Sequence, residues 1–237
     1  MLLQILTYTH HLTTMLFGIF LSAFFLGVKQ NKKNVCILLG GGAVSGLFFL
    51  ICNTVFGSLF TEAVYPIFVH LPLFLLLVFY YRFRWLPSII SIMTAYLCCQ
   101  FSNWAGIFAL SLSGLDWIYY LVRIIVTVAV FAFLSRYLCQ TTALLFAKSD
   151  RELYILGAMP FVYYVFDYST TKFSMLLYSG NKVVVEFLAF AMCISYVIFL
   201  FVYFQEYELK NSAEQYGQLT NMQLNSLHSE IEQVRSS

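Results

Sequence analysis

Seven separate stretches, residues 5–28, 35–56, 64–81, 88–110, 117–138, 153–168 and 183–204, are apolar over about the length a helix needs to cross a 30 Å hydrocarbon core. A chain that repeats such runs has few water-soluble folds open to it. Only 10% of the 237 residues are charged, whereas a soluble domain carries about 25%. That is too little charge to coat a water-facing surface, which excludes a cytosolic globular enzyme. Continuous apolar runs such as Pro72 to Phe79 do not alternate as the strands of a membrane β-barrel do. The expected fold is therefore all-α: a polytopic membrane protein of about seven transmembrane helices. The first run has no basic start and no small-residue cleavage site, and it continues to Val28. It reads as a retained span and not as a signal peptide.

Lys and Arg near span ends favour the cytoplasmic side. Lys29, Lys32 and Lys33 follow span one, Arg82 and Arg84 follow span three, and Arg136, Lys148 and Arg151 follow span five. The alternate connections hold only Lys172 and Lys182, so the count is eight against two. The N-terminus is expected outside and the C-terminus in the cytoplasm, in the plasma membrane. Span six, short and containing Pro160, decides that parity. A transmembrane helix tolerates such a proline where neighbours satisfy the freed carbonyl.

Composition changes at Glu206. Residues 1–205 hold six of the 11 acids and 11 of the 13 bases, while residues 206–237 hold five acids and two bases. Two parts are expected: a seven-helix body over 1–205 and a cytoplasmic helix over 206–237. Leu224, Leu227, Ile231 and Val234 are spaced three, four and three apart, the seam of a two-stranded coiled coil. Leu209, Ala213 and Tyr216 follow a different phase, so the heptad breaks between Leu219 and Leu224. The alternative is a solvated amphipathic helix with no partner. The chain stops in mid-pattern at Ser237, which gives the expectation of a truncated dimerisation region.

Ionisable side chains within spans are costly and usually face a bundle interior or cavity. His70, Arg123, Asp167 and Glu186 are such residues, all placed in the outer half by the expected orientation. Gln100, Asn103 and Trp104 join them, Gln100 and Asn103 sharing a helix face at a spacing of three. These seven are the candidate ligand-binding residues of an aromatic-lined cavity open to the outside. The competing reading pairs Arg123 with Asp167 or Glu186 simply to hold helices together, at about 0.6–2 kcal/mol for each interhelical bond. His70, beside Pro72, reads first as a satisfied structural side chain. Trp104, Trp117 and Tyr168 also suit an interfacial aromatic belt.

Other chemistries find little footing. Gly40, Gly41, Gly42 and Gly46 lie in an apolar span with no Lys-Ser/Thr after them, so they read as a helix-packing face and not as a phosphate loop. His10-His11 lacks the His-Glu-x-x-His spacing of a zinc protease. All six cysteines sit in or beside apolar runs without a Cys-x-x-Cys pair, as small buried hydrophobes. No catalytic residue, metal or cofactor is expected. A net charge of +2 with no long basic run gives no footing for a nucleic-acid partner.

Several short motifs share an order and spacing with one family: His70-Leu71-Pro72-Leu73, Tyr96 to Gln100 with Trp104, Tyr163 to Tyr168, Leu177 to Gly180 with Val185-Glu186-Phe187, and the tail through Glu232. In these the chain resembles the sensor regions of multi-span bacterial histidine kinases of the Firmicutes type, those with a GHKL-type ATPase domain, similar to quorum-sensing peptide-receptor kinases. The resemblance implies a homodimer through residues 206–237 and an extracellular or membrane-borne small molecule or peptide as ligand. It also implies a cytoplasmic kinase that this chain lacks. The family's Arg-His-Asp phosphoacceptor is absent, and His228 in Leu227-His228-Ser229 does not match it, so no kinase activity is expected of the chain as given. Ligand binding would favour one packing of the bundle through its differential affinity, with the heptad break as the bistable element. Two rival readings are a small transporter or substrate-capture subunit, which leaves the heptad tail unexplained, and a scaffold that recruits a partner without catalysis.

Overall fold

A computed structural model describes residues 2–57, 60, 64–147, 150–172 and 182–236, with the side chains of residues 65, 140, 141, 151, 168–172, 182–189, 227 and 229–236 outside the description. The described residues are helical, with no strand among them. The helices are α1 (Leu2–Phe25), α2 (Lys32–Phe56), α3 (Tyr65–Phe68), α4 (His70–Leu75), α5 (Trp85–Cys98), α6 (Gln100–Ser113), α7 (Asp116–Tyr137), α8 (Cys139–Phe146), α9 (Asp150–Lys172) and α10 (Lys182–Ser236). A π turn, Leu76–Tyr80, continues α4.

Among the described residues, four stretches are long and apolar enough to cross a membrane: Lys32–Phe56, Trp85–Ser113, Asp116–Tyr137 and Phe190–Ser226. Pro66–Tyr80 is a shorter apolar helix. Most of α2 and α7 is not buried by protein, and Val44, Leu47, Ile51, Ile125 and Val128 stand at least half exposed. An apolar surface of that extent is tolerable where lipid covers it. Of the other expected spans, residues 64–81 fall short in helix length, and α1 and α9 carry more polar residues. The first half of α1 holds His10, His11 and three threonines, yet their hydroxyls are satisfied within the helix: Thr7, Thr9 and Thr13 donate to carbonyls four residues back at 2.7–2.8 Å.

The chain divides into two compact units, Met1–Cys193 and Ile194–Ser237. In the first, α1 is the central helix and packs against α2, α5, α7 and α8. Phe17, Phe20 and Phe24, one turn apart, meet Phe131 of α7 at ring-centroid distances of 6.1–6.4 Å. Gly42 earns its place on α2: an added Cβ would stand 3.0 Å from Ile19 of α1. Gly42 and Gly46 thus form a packing face toward α1, whereas Gly40 is exposed and meets no neighbour among the described residues. On the other side α9 packs on α5, where a Cβ at Gly157 would overlap Ile90. Helix α9 runs unbroken through Pro160.

Local chemistry sets the element ends. Pro72 has no N–H for the carbonyl of Phe68, so the chain breaks at Val69 and restarts at His70, which places His70 in the first turn of α4. Gly114 takes the left-handed conformation (φ 67°) and donates its N–H to Leu110 O at 2.8 Å, closing α6. Cys99 separates α5 from α6 and retains helical dihedrals, so the two form one bent apolar rod. Arg84, at the start of α5, pairs with Asp150, at the start of α9.

The second unit is the distal part of α10. Leu209, Tyr216, Leu219, Met222 and Leu224 are all more than half exposed along it. Leu227, Ile231 and Val234 of the expected seam lie in α10 with their side chains outside the described residues. Compactness divides the chain at Cys193, whereas composition changes at Glu206.

Candidate functional site

The first unit encloses a cavity of about 400 Å³, within the range of small-molecule pockets. Helix α1 contributes Thr14, Met15, Gly18, Ile19 and Ser22, three of them small or polar and repeated every four residues on one face. From the α3–α4 region come Val69, His70 and Leu73. The bent α5–α6 rod supplies Ile92, Tyr96, Cys99, Gln100 and Asn103 at helical spacing, and α7 and α9 add Arg123 and Asp167.

Of the seven expected site residues, five line this one cavity: His70, Gln100, Asn103, Arg123 and Asp167. They come from four helices up to 97 positions apart in sequence. Trp104 is not among the lining residues. It lies one position past Asn103, and its ring meets Phe190 at 5.3 Å. Glu186 belongs to α10, and its side chain lies outside the described residues.

The polar groups fall into two sets. On one side the Tyr96 hydroxyl donates to the Asp167 carboxylate at 2.5 Å, joining α5 to α9. Beside it His70 Nδ1 lies 2.8 Å from the Tyr164 hydroxyl, and the Tyr96 and Tyr164 rings meet edge to face at 4.9 Å. His70 also sits edge-on to Tyr96 at 5.8 Å. This is the satisfied structural role expected of His70, and it coexists with a place on the cavity wall. Asn103 donates to the Gln100 side chain at 3.3 Å, as their spacing of three allows.

On the other side Arg123 Nη1 donates to Tyr119 Oη at 2.5 Å, within α7. Its Nε is buried and meets no acceptor among the described residues. No described carboxylate lies within ion-pair distance of Arg123, so the Arg123–Asp167 pair of the competing reading is not formed: Asp167 accepts from Tyr96, and the guanidinium donates within its own helix. The pairing with Glu186 falls outside the described side chains. Gly106 makes the room for Arg123, because a Cβ there would overlap the Cγ and Cδ of the arginine. His10, buried on α1, packs its ring on Tyr120 at 5.8 Å and lies 3.3 Å from the Thr14 hydroxyl.

Among its described lining residues the wall holds one cation, Arg123, and one anion, Asp167, from different helices, together with amide and hydroxyl groups. It can orient a small ligand through hydrogen bonds and charge. The nucleophile, base and orienting group of a hydrolytic site are not assembled among the described lining residues. Sequence reasoning overlooked the α1 contribution, although Thr14, Gly18 and Ser22 at steps of four were a readable signal. Gly106 and Tyr119, which position Arg123, carried none.

Cys52, Cys98, Cys139 and Cys193 are buried as expected of small hydrophobes, and Cys193 donates its thiol to Leu97 O at 3.2 Å. Cys36 departs from that expectation and is exposed on α2. Compared with protein-family models, curated proteins and solved structures, the chain matches none.

Proposed function

We propose that this chain is the membrane sensor module of a signalling receptor, of the kind that drives a cytoplasmic histidine kinase. In this reading seven helices span the plasma membrane with the N-terminus outside. Helices α1, α3–α4 with its π turn, and α9 supply the crossings beyond the four strongly apolar stretches. A small molecule or peptide, extracellular or membrane-borne, binds in the polar cavity. The occupied state is relayed through α10 to a homodimeric coiled coil over 206–237, with the seam at Leu224, Leu227, Ile231 and Val234.

The observation that carries the reading is the convergence of His70, Gln100, Asn103, Arg123 and Asp167 on one cavity within an apolar bundle. Polar groups inside a membrane are expensive and are kept where they bind or relay. The second support is α10, a single 55-residue helix whose apolar start gives way to an acidic end with exposed Leu224. A transporter has equal use for the cavity but none for that end. The test is subunit counting by single-molecule photobleaching of the full-length chain in membranes. Dimers that revert to monomers in Leu224→Asp with Leu227→Asp support a signalling relay, whereas monomers in the unaltered chain contradict it.

A further inference from the structure

A second concavity, about 340 Å³, adjoins the first. It shares His70 and Ile92 with the polar cavity and is otherwise lined by Leu71, Phe74, Ile89, Met93 and Tyr164. The two share one wall. It consists of Ile92 and the His70 ring, held in place by the hydrogen bond to Tyr164. Beyond that wall the lining is apolar, between α4, α5 and α9. Leu71 at its rim is 46% exposed, so the groove opens on the flank of the bundle, where lipid would lie.

The two spaces also have a direction. On the α5–α6 rod the polar lining lies at Tyr96, Gln100 and Asn103, and the apolar groove extends along the same rod to Ile89. Eleven residues separate Gln100 from Ile89, roughly 16 Å of helix rise and about half the thickness of a hydrocarbon core. The change from polar to apolar along the α5–α6 rod matches a molecule with its head near Gln100 and Asn103 and its tail directed toward Ile89. The head has a specified charge: Arg123 is the cation on the cavity wall, its Nε is buried without an acceptor, and no described carboxylate pairs with it. Asp167, the anion of the wall, is already engaged by Tyr96.

We infer that the ligand class is a single-chain anionic amphiphile, a long-chain carboxylate, whose head binds Arg123 in the polar cavity and whose tail passes His70 into the groove lined by Leu71, Phe74, Ile89 and Met93. This rests on the proposed receptor reading and narrows its ligand. One groove and one cation suit one chain and one carboxylate. A two-chain bilayer phospholipid would need a second apolar track, and the described groove supplies a single track.

The test uses the full-length protein in phosphatidylcholine nanodiscs and a long-chain fatty acid bearing a photoreactive diazirine near its tail end, with labelled peptides mapped by mass spectrometry. Labelling is expected at Phe74 and Ile89 to Met93, displaced by excess palmitate and not by equal acetate. Met93→Trp, which fills the groove, and Arg123→Gln, which removes the cation, should each lower that labelling at least fivefold. Met93→Leu, which keeps volume and apolarity, should retain it and so separates a blocked groove from a misfolded bundle. A diazirine phosphatidylcholine should label exposed α2 residues such as Val44 and leave the groove unlabelled. Fatty-acid labelling spread evenly over α2, α7 and the groove, or unchanged in both Met93→Trp and Arg123→Gln, overturns the inference. Groove labelling without any effect of the fatty acid on cross-linking at Leu224→Cys leaves the ligand class standing and counts against the receptor reading.

Discussion

The Tyr96 hydroxyl is bound to the Asp167 carboxylate at 2.5 Å, across the contact between α5 and α9. A charge-assisted bond in a low-dielectric bundle fixes both side chains on the cavity wall and leaves Arg123 to another partner. Removing the phenol hydroxyl strands part of the carboxylate. Tyr96→Phe should therefore destabilise the protein by about 1.5–3 kcal/mol, read as a lower midpoint in unfolding from mild detergent. Asp167→Asn, which keeps an acceptor without the charge, should cost less than Asp167→Ala.

A charge exchange separates this arrangement from a direct ion pair. Because Arg123 donates to Tyr119 and Asp167 accepts from Tyr96, Arg123→Asp combined with Asp167→Arg should fold no better than the worse single variant. Recovery of monodisperse protein on gel filtration in the double variant would mean that the two side chains do meet.

Gly106 should be intolerant of any side chain. Its Cβ would overlap Arg123, and overpacking of this kind costs about 1–3 kcal/mol. Gly106→Ala should lower the thermal midpoint, and Arg123→Ala in the same chain should restore most of the loss, since it removes the atoms in conflict. Equal losses in the presence and absence of the arginine side chain would show that the glycine serves another contact.

The charge bias predicts sidedness. In a chain freed of its native cysteines, Lys33→Cys and Arg84→Cys should resist a membrane-impermeant thiol reagent added to intact cells, and Ser113→Cys should react. Inverted labelling would reverse the topology and place the tail outside.

The long apolar helices were legible because length and apolarity reveal them in the sequence, whereas the break at Val69 ahead of Pro72 falls inside the expected span 64–81 and was not foreseen. Five of the seven expected site residues converge because ionisable groups in an apolar helix have few places to go except inward. Trp104 escaped the pattern: an aromatic one position round from Asn103 is free to face another helix, here at Phe190. Charge alone allowed Arg123 to pair with Asp167 or Glu186 as the alternative to binding a ligand, but Tyr119 holds the guanidinium and Tyr96 the Asp167 carboxylate. Nothing in composition foretells which of two acceptable partners is closer. The proposed tail seam rests on spacing, and its partner would be a second chain, which the fold of one copy does not describe.

The account centres on a cavity whose state is passed to the tail. Its most direct test is a disulfide scan of single cysteines from position 216 to 234 in the otherwise cysteine-free full-length chain in membranes, with and without Arg123→Gln. The predicted result is cross-linking that peaks at 224, 227, 231 and 234, and a ratio of the 216 to the 224 product that changes at least twofold when the cavity loses its cation. Cross-linking with no three-four periodicity, or a profile identical in both backgrounds, would contradict it.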